Sequence, residues 1–247
     1  TATRADRAKP DDMNRILVAG ETIVDFLPET RGALSAVESF SRRAGGAPAN
    51  VAVALARLGE TPTFWTRVGA DPFGDFLAER LAAEGLPDSF VERDPGAKTG
   101  LAFVSLDEAA DRAFSFYHDG AAETRMRPGT VPDDDLAAAS WVHVDGLSLD
   151  AQPSRDAVLD LARRARAAGA VVSFDPNARP ERWTEFDFGV SVREALGLVD
   201  VVKATPEDLR SEWPTAGFLR YRMRHDHIFA GPEVRWLDFE DTHPFGM

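Results

Sequence analysis

The sequence of 247 residues contains no cysteine and no long apolar run. The absence of cysteine excludes disulfides, thiolate metal sites and covalent cysteine chemistry, and it is typical of a reducing cytosol. No stretch approaches the roughly 20 apolar residues of a membrane helix, and the first fourteen residues lack the apolar core of a signal peptide. The sequence therefore predicts a cytoplasmic protein that is not inserted in a membrane.

Positive charge is also scarce. Lysine and arginine together number 28 against 41 aspartates and glutamates, which gives a formal net charge of −13. Such a chain lacks the cationic excess that neutralises phosphates, so nucleic-acid binding is not expected. Lysine occurs at three positions, 9, 98 and 203. An acidic chain with so little lysine predicts a salt-rich, halophilic cytoplasm or reflects a biased genome composition, and both interpretations stay open.

The pattern of apolar residues predicts one α/β domain. Short apolar strands alternate with helices of amphipathic spacing, as at residues 141–145, 155–168 and 171–175. This alternation predicts a mostly parallel sheet with helices on both faces. A polar turn between apolar runs at 101–106 and 113–118 predicts a β-hairpin within the domain. From Trp213 onward the pattern degrades to two short strand candidates.

The most informative motif is the run Ala44-Gly45-Gly46-Ala47-Pro48-Ala49-Asn50, which predicts a ligand-binding helix start. Gly45 and Gly46 have no Cβ, so a ligand can lie directly against their backbone. Pro48 suits the first turn of a helix. We expect the N–H groups of that turn to be left for a polar ligand. The Asn50 amide can bind a hydroxyl, and it could equally be a local cap.

Polar residues at the carboxyl ends of predicted strands are further candidates, because parallel α/β sheets bind ligands there. Asp25 can accept hydrogen bonds from neighbouring hydroxyls of a polyol, although in isolation an ordinary turn or cap acid is the better interpretation. Asn177 and Arg179 follow the strand at 171–175. The planar guanidinium of Arg179 suits a phosphoryl group in transfer, with a surface arginine as the alternative.

A last candidate group follows the strand that ends near Lys203. Thr205 and Asp208 offer a hydroxyl and a carboxylate beside the Lys203 ammonium. Thr205 before a proline is also an ordinary helix N-cap pattern, and in isolation this interpretation is the better one.

Taken together, these motifs resemble one family. The run Gly-Gly-Ala-Pro-Ala-Asn, followed by Ala52, Gly59 and Gly69, is similar in spacing to the first signature of the ribokinase-like sugar kinases, also called the PfkB carbohydrate kinase family. The chain resembles fructokinase-like members in particular at residues 20–25, 68–74, 116–123 and 175–180. The resemblance covers roughly residues 15–213. It implies a ribokinase-like three-layer α/β sandwich with a small β-hairpin lid.

The resemblance also implies boundaries and roles. Residues 1–14 would be a disordered tail and 15–247 the domain, with lid strands within about 21–40 and 99–120. The residues implied to bind the sugar are Asp25, Gly45, Gly46, Asn50, Phe103, Ala122 and Asn177. Arg179 would stabilise the transferred phosphoryl group. The residues implied to bind Mg²⁺ and ATP are Lys203, Thr205 and Asp208.

By this resemblance the chain is expected to be an ATP- and Mg²⁺-dependent kinase that phosphorylates a sugar hydroxyl, with fructose as the sugar. A 2-keto-3-deoxygluconate kinase is the alternative, since it shares the Asp-Pro-Asn-x-Arg turn. Lids of this family exclude water and often pair between two subunits, which implies a homodimer.

The sequence departs from the family pattern at its end. The late Gly-Ala-Gly-Asp turn, whose aspartate takes the proton from the sugar hydroxyl, is not found, and Met247 stands where that aspartate would fall. No general base is therefore identified. A truncated or poorly defined tail is the favoured explanation, because the nucleotide side of the sheet would otherwise expose a large apolar face. A sugar-binding homologue without catalysis is the alternative.

Overall fold

The computed structural model describes residues 15–106, 112–179, 182, 183, 185–204, 227–230 and 235–237. The strands are β1 (Arg15–Ala19), β2 (Ile23–Pro28), β3 (Phe40–Gly45), β4 (Thr63–Gly69), β5 (Val91–Asp94), β6 (Leu101–Leu106), β7 (Arg112–Tyr117), β8 (Ala139–Asp145), β9 (Val171–Asp175), β10 (Val201–Ala204), β11 (His227–Ala230) and β12 (Arg235–Leu237). The helices are α1 (Ala47–Arg57), α2 (Pro72–Ala83), α3 (Asp133–Ala138), α4 (Ser154–Ala168) and α5 (Phe188–Leu196). Among the helices of these ranges, none has the length and apolar character of a bilayer span.

One large sheet has eight strands in the order β12-β11-β10-β9-β8-β1-β4-β5. The six strands from β10 to β5 run parallel, and β11 and β12 are added by antiparallel pairing. Parallel neighbours need a crossover connection, which α4 supplies between β8 and β9. The prediction of a mostly parallel sheet is therefore confirmed.

Helices cover both faces of this sheet because successive side chains of a strand point in opposite directions. In β1, Leu17 packs in a core that includes Ala157 and Leu161 of α4. The next residue, Val18, packs in a separate core that includes Ala52 of α1. All five side chains are at most 3% exposed. The arrangement is the expected three-layer α/β sandwich.

A second, smaller sheet has the order β3-β2-β6-β7. Its antiparallel strands β6 and β7 are the predicted hairpin. The strand β3 was not predicted, because Ser41, Arg42 and Arg43 interrupt any apolar alternation, and it forms by pairing with β2 over its whole length. The sheet consequently extends beyond the predicted range 21–40, to Gly45.

Strand register divides the residues of the smaller sheet between two faces. Asp25 pairs with Ala102 in β6, and Ala102 pairs with Phe116 in β7, so these three share one face. We call it the Asp25 face. Phe26 and Phe103 lie on the opposite face, where their rings stack with centroids 4.7 Å apart.

Candidate active site

The two glycines before α1 permit close backbone packing. Gly46 has φ of +100°, a conformation that side-chain-bearing residues rarely adopt, and a Cβ there would lie 2.5 Å from the Glu21 carbonyl oxygen. A Cβ on Gly45 would collide with the carboxylate of Asp25. The glycines therefore bring Asp25 directly against the backbone that leads into the helix.

The start of α1 is less open than predicted. The Ala47 N–H donates a hydrogen bond to Glu21 Oε1 at 3.3 Å, so the expectation that all first-turn N–H groups stay free is wrong for Ala47. Glu21 follows the carboxyl end of β1 and reaches the positive end of the helix dipole, where a carboxylate is stabilised. Sequence inspection missed Glu21, although its place after a strand is the signal used for Asp25.

Asp25 is a partly buried carboxylate that makes no hydrogen bond or ion pair with any residue that the structure describes. Burial raises the pKa of this carboxyl to about 6. Near neutral pH it therefore remains largely ionised, with acceptor oxygens and no donor beside them. Hydroxyl groups are donors that such a carboxylate can bind.

A second group of side chains follows β8 and β9. Asn177, with φ of 44°, donates from its side-chain amide to Asp145 Oδ2 at 3.1 Å and from its backbone to Asp175 Oδ1 at 3.1 Å. Lys203 Nζ lies 3.2 Å from Asp175 Oδ2. Burial raises the pKa of Asp145, and the nearby charges of Glu21 and Asp175 raise it further. These contacts fix the turn that carries Arg179.

Arg179 lies beside the smaller sheet. Its Nη1 donates to the Ala178 carbonyl at 2.7 Å, and its guanidinium carbon is 6.0 Å from the ring centroid of Phe114. Phe114 is two residues from Phe116 in β7 and therefore lies on the Asp25 face. The structure thus brings Arg179 to the same face of the smaller sheet as Asp25.

The other predicted residues are placed as follows. Asn50 is exposed in the first turn of α1, with its backbone N–H on the Gly46 carbonyl. Ala122 is fully buried and donates its N–H to the Lys98 carbonyl at 2.8 Å. Thr205 and Asp208 lie outside the described residues, as does Met247.

Phe103 is not brought to the Asp25 face. Its ring contacts Phe26, Phe40 and Tyr117, which belong to the opposite face of the smaller sheet. The strand register explains this placement, since Ala102 and not Phe103 pairs with Asp25.

Sequence inspection also missed Asp145 and Arg182. Asp145 ends β8 and carried the same strand-end signal as the residues that were selected. Arg182 carried no signal, because an arginine in a loop is usually exposed. In the structure it is 2% exposed and donates from Nε to Asp150 Oδ2 at 2.9 Å.

Comparison with known proteins places the chain in a family. Residues 13–224 match the family described as pfkB family carbohydrate kinase. The chain belongs to the pfkB family. A fructokinase of Vibrio alginolyticus is 39% identical to this pfkB protein over 199 residues, which are 80% of this chain and 62% of that enzyme. The chain spans about three fifths of the length of the curated relatives it matches.

Solved structures of pfkB-type kinases have the same architecture. Fructokinase from Xylella fastidiosa with bound ATP superposes with a TM-score of 0.72 at 30% identity, covering 90% of this chain and 73% of that one. A double mutant of Vibrio cholerae O395 fructokinase, in its fructose, ADP and potassium ion bound form, gives a TM-score of 0.69 at 34% identity. That match covers 82% of this chain and 63% of that chain.

Proposed function

We propose that this pfkB-family chain functions in an ATP-dependent sugar kinase, which transfers the γ-phosphoryl group of ATP to a hydroxyl of fructose. The observation that carries the proposal is Asp25, an ionised carboxylate without a donor, held against Gly45 at the start of α1. Such a carboxylate can accept hydrogen bonds from neighbouring hydroxyls of one sugar. The Xylella structure with ATP and the Vibrio cholerae structure with fructose and ADP support these two substrates.

Each proposed step uses a residue near the Asp25 face. Asp25 orients the sugar by accepting from its hydroxyls, and the missing side chain of Gly45 leaves room for this carboxylate. Arg179 stabilises the negative charge of the phosphoryl group as it moves between oxygens. The smaller sheet covers the sugar and excludes water, which would otherwise compete as acceptor. The proton acceptor for the sugar hydroxyl is not assigned.

Magnesium is the expected companion of ATP, because it neutralises phosphate charge. Within the described ranges, no group of three or more histidine, aspartate or glutamate side chains is arranged to hold a metal ion. The residues expected near Mg²⁺ and ATP are Lys203, Thr205 and Asp208, and of these the structure describes Lys203. Lys203 alone does not form a magnesium site, and the proposed roles of Asp25 and Arg179 do not require one.

We also propose that the smaller sheet pairs with its copy in a homodimer. Tyr117, at the end of β7, is 64% exposed on the face opposite Asp25. An exposed aromatic side chain beside Phe103, whose ring also contacts Phe40, is suited to an interface, because aromatic residues are enriched there.

Calorimetric titration with sugars tests the proposed substrate. Fructose should bind with measurable heat and with higher affinity than ribose or 2-keto-3-deoxygluconate, each titrated at the same pH. If 2-keto-3-deoxygluconate binds more tightly than fructose, it is the substrate in place of fructose. The absence of heat with all three sugars would contradict the proposed function.

A further inference from the structure

Five ionisable side chains meet in the protein interior: Glu21, His118, Glu123, Asp150 and Arg182. We call them the Arg182 cluster. The three acids and the arginine are each at most 3% exposed, and the His118 side chain is 11% exposed. They come from separate parts of the chain, which approach one another only in the fold. The cluster therefore connects elements that are distant in sequence.

Arg182 is at the centre of the Arg182 cluster. Its Nε donates to Asp150 Oδ2 at 2.9 Å, and its guanidinium carbon lies 5.3 Å from the ring centroid of Phe116 on the Asp25 face. Its charge lowers the pKa of Glu21 and of Glu123, although burial has the larger influence on both and raises their pKa. His118 Nε2 is 3.9 Å from Asp150 Oδ2, and burial lowers the pKa of this imidazole to about 4. Arg182 is thus the group of the cluster that is positively charged at neutral pH.

Two of the three acids around Arg182, Glu21 and Glu123, contact an element of the proposed sugar site. Glu21 accepts from the Ala47 N–H and so contacts the start of α1. Glu123 packs so closely on Gly100 that a Cβ there would collide with its carboxylate. The Gly100 carbonyl in turn accepts from Val24, which joins the bases of β2 and β6.

Charge holds this arrangement more than directed hydrogen bonds do. Glu21 Oε2, both oxygens of Glu123, Asp150 Oδ1 and Arg182 Nη1 are buried and make no hydrogen bond within the described part of the chain. Removing one partner of a buried ion pair leaves an uncompensated charge, which is strongly unfavourable. Without Arg182, an ionised carboxylate of the cluster would have to take up a proton or move away from its neighbours. Movement of Glu21 or Glu123 would displace the start of α1 or the base of the smaller sheet.

We propose that Arg182 is a positioning residue that fixes the base of the smaller sheet relative to the start of α1, and thereby holds the sugar between them. The assignment of the sugar rests on the proposed function, whereas the connection between the smaller sheet and the start of α1 through Arg182 does not. Arg182 also follows the turn that carries Arg179, so the same residue links this turn to the Asp25 face.

Hydrogen exchange of the ligand-free chain tests the connection. In Arg182→Met, the amides of Val24 and Ala122 at the base of the smaller sheet should exchange at least about tenfold faster than in the parent chain. Arg155→Met is the matched control, because Arg155 is 7% exposed and is paired with Glu194, which is not a member of the Arg182 cluster. Equal exchange of these two amides in Arg182→Met and Arg155→Met would overturn the proposal.

A conservative variant and measurements of ligand affinity distinguish a positioning role of Arg182 from a contribution to overall stability. Arg182→Lys should restore slow exchange in part, and if Arg182→Met does not fold, the lysine variant is compared with Arg155→Lys instead. Fructose affinity should fall at least about tenfold in Arg182→Met, whereas ATP affinity stays unchanged. Unchanged fructose affinity, or an equal loss for ATP, would overturn the proposal. If the parent chain binds no sugar, the proposed function fails and the exchange comparison still decides the role of Arg182.

Discussion

Replacing Glu123 by Gln should remove one specific part of the pH dependence of stability. Burial raises the pKa of the Glu123 carboxyl from an ordinary 4.5 to about 8, against the opposing charge of Arg182. The folded protein therefore holds a proton on Glu123 that the unfolded chain has released. The stabilisation of the protonated form is complete below pH 4.5 and is lost as the pH rises through 8.

The size of the effect follows from linkage. One proton difference between the folded and unfolded states changes the free energy of unfolding by about 1.4 kcal/mol per pH unit. Between pH 6.5 and pH 8, Glu123 should therefore lower the free energy of unfolding by about 2 kcal/mol. His118, whose pKa falls from 6.5 to about 4, makes an opposing contribution that still increases slightly above pH 6.5, but His118 is present in both proteins. Glu21 and Asp145 are present in both proteins, so comparison of the variant with the parent cancels their contributions.

Urea unfolding at pH 6.5 and at pH 8 measures this difference. Glu123→Gln carries no titrating proton, so its free energy of unfolding should decline by about 2 kcal/mol less than that of the parent over this range. Glu60→Gln, at an exposed position, should retain the parent slope. Parallel pH profiles for the parent and Glu123→Gln would refute the reasoning that burial keeps Glu123 protonated.

Two other predictions concern the backbone and assembly. Gly46→Ala should lower the free energy of unfolding by about 1–3 kcal/mol more than Gly59→Ala, because both glycines have a positive φ but a Cβ at Gly46 would press on the Glu21 carbonyl oxygen, whereas at Gly59 it would meet open space. Equal losses would show that the Glu21 contact is unimportant. The parent should sediment as a dimer and Tyr117→Arg as a monomer, and a monomeric parent would exclude the proposed pairing.

Apolar patterning was sufficient to predict the central elements of the fold. The runs that became β1, β8 and β9 are mostly apolar and their apolar side chains are largely buried, so their sequence carries a strong signal. The strands β3 and β5 carry several charged side chains and form by pairing with neighbours that are distant in sequence. Such pairing depends on the tertiary structure and cannot be deduced from local composition.

The same distinction applies to the candidate site. Asp25 was selected as an acid within a predicted strand and Arg179 because it follows one, and the structure places both at one face of the smaller sheet. Phe103 lies on the other face because side chains alternate along a strand, so an error of one residue reverses the direction. Arg182 could not be selected from the sequence, since its function as a partner arises from three acids that meet it only after folding.

The affinity of fructose for the parent chain and for Asp25→Asn tests the central claim most directly. A hydrogen bond to an ionised carboxylate is worth about 1.5–3 kcal/mol, so calorimetry at pH 7.5 should give at least about tenfold weaker binding for the variant. Asp88→Asn, at an exposed position, should bind like the parent. At pH 5, below the pKa of about 6, Asp25 is protonated and the difference should shrink. Equal affinities of the parent and Asp25→Asn at pH 7.5 would contradict the assignment of Asp25 as the group that holds the sugar.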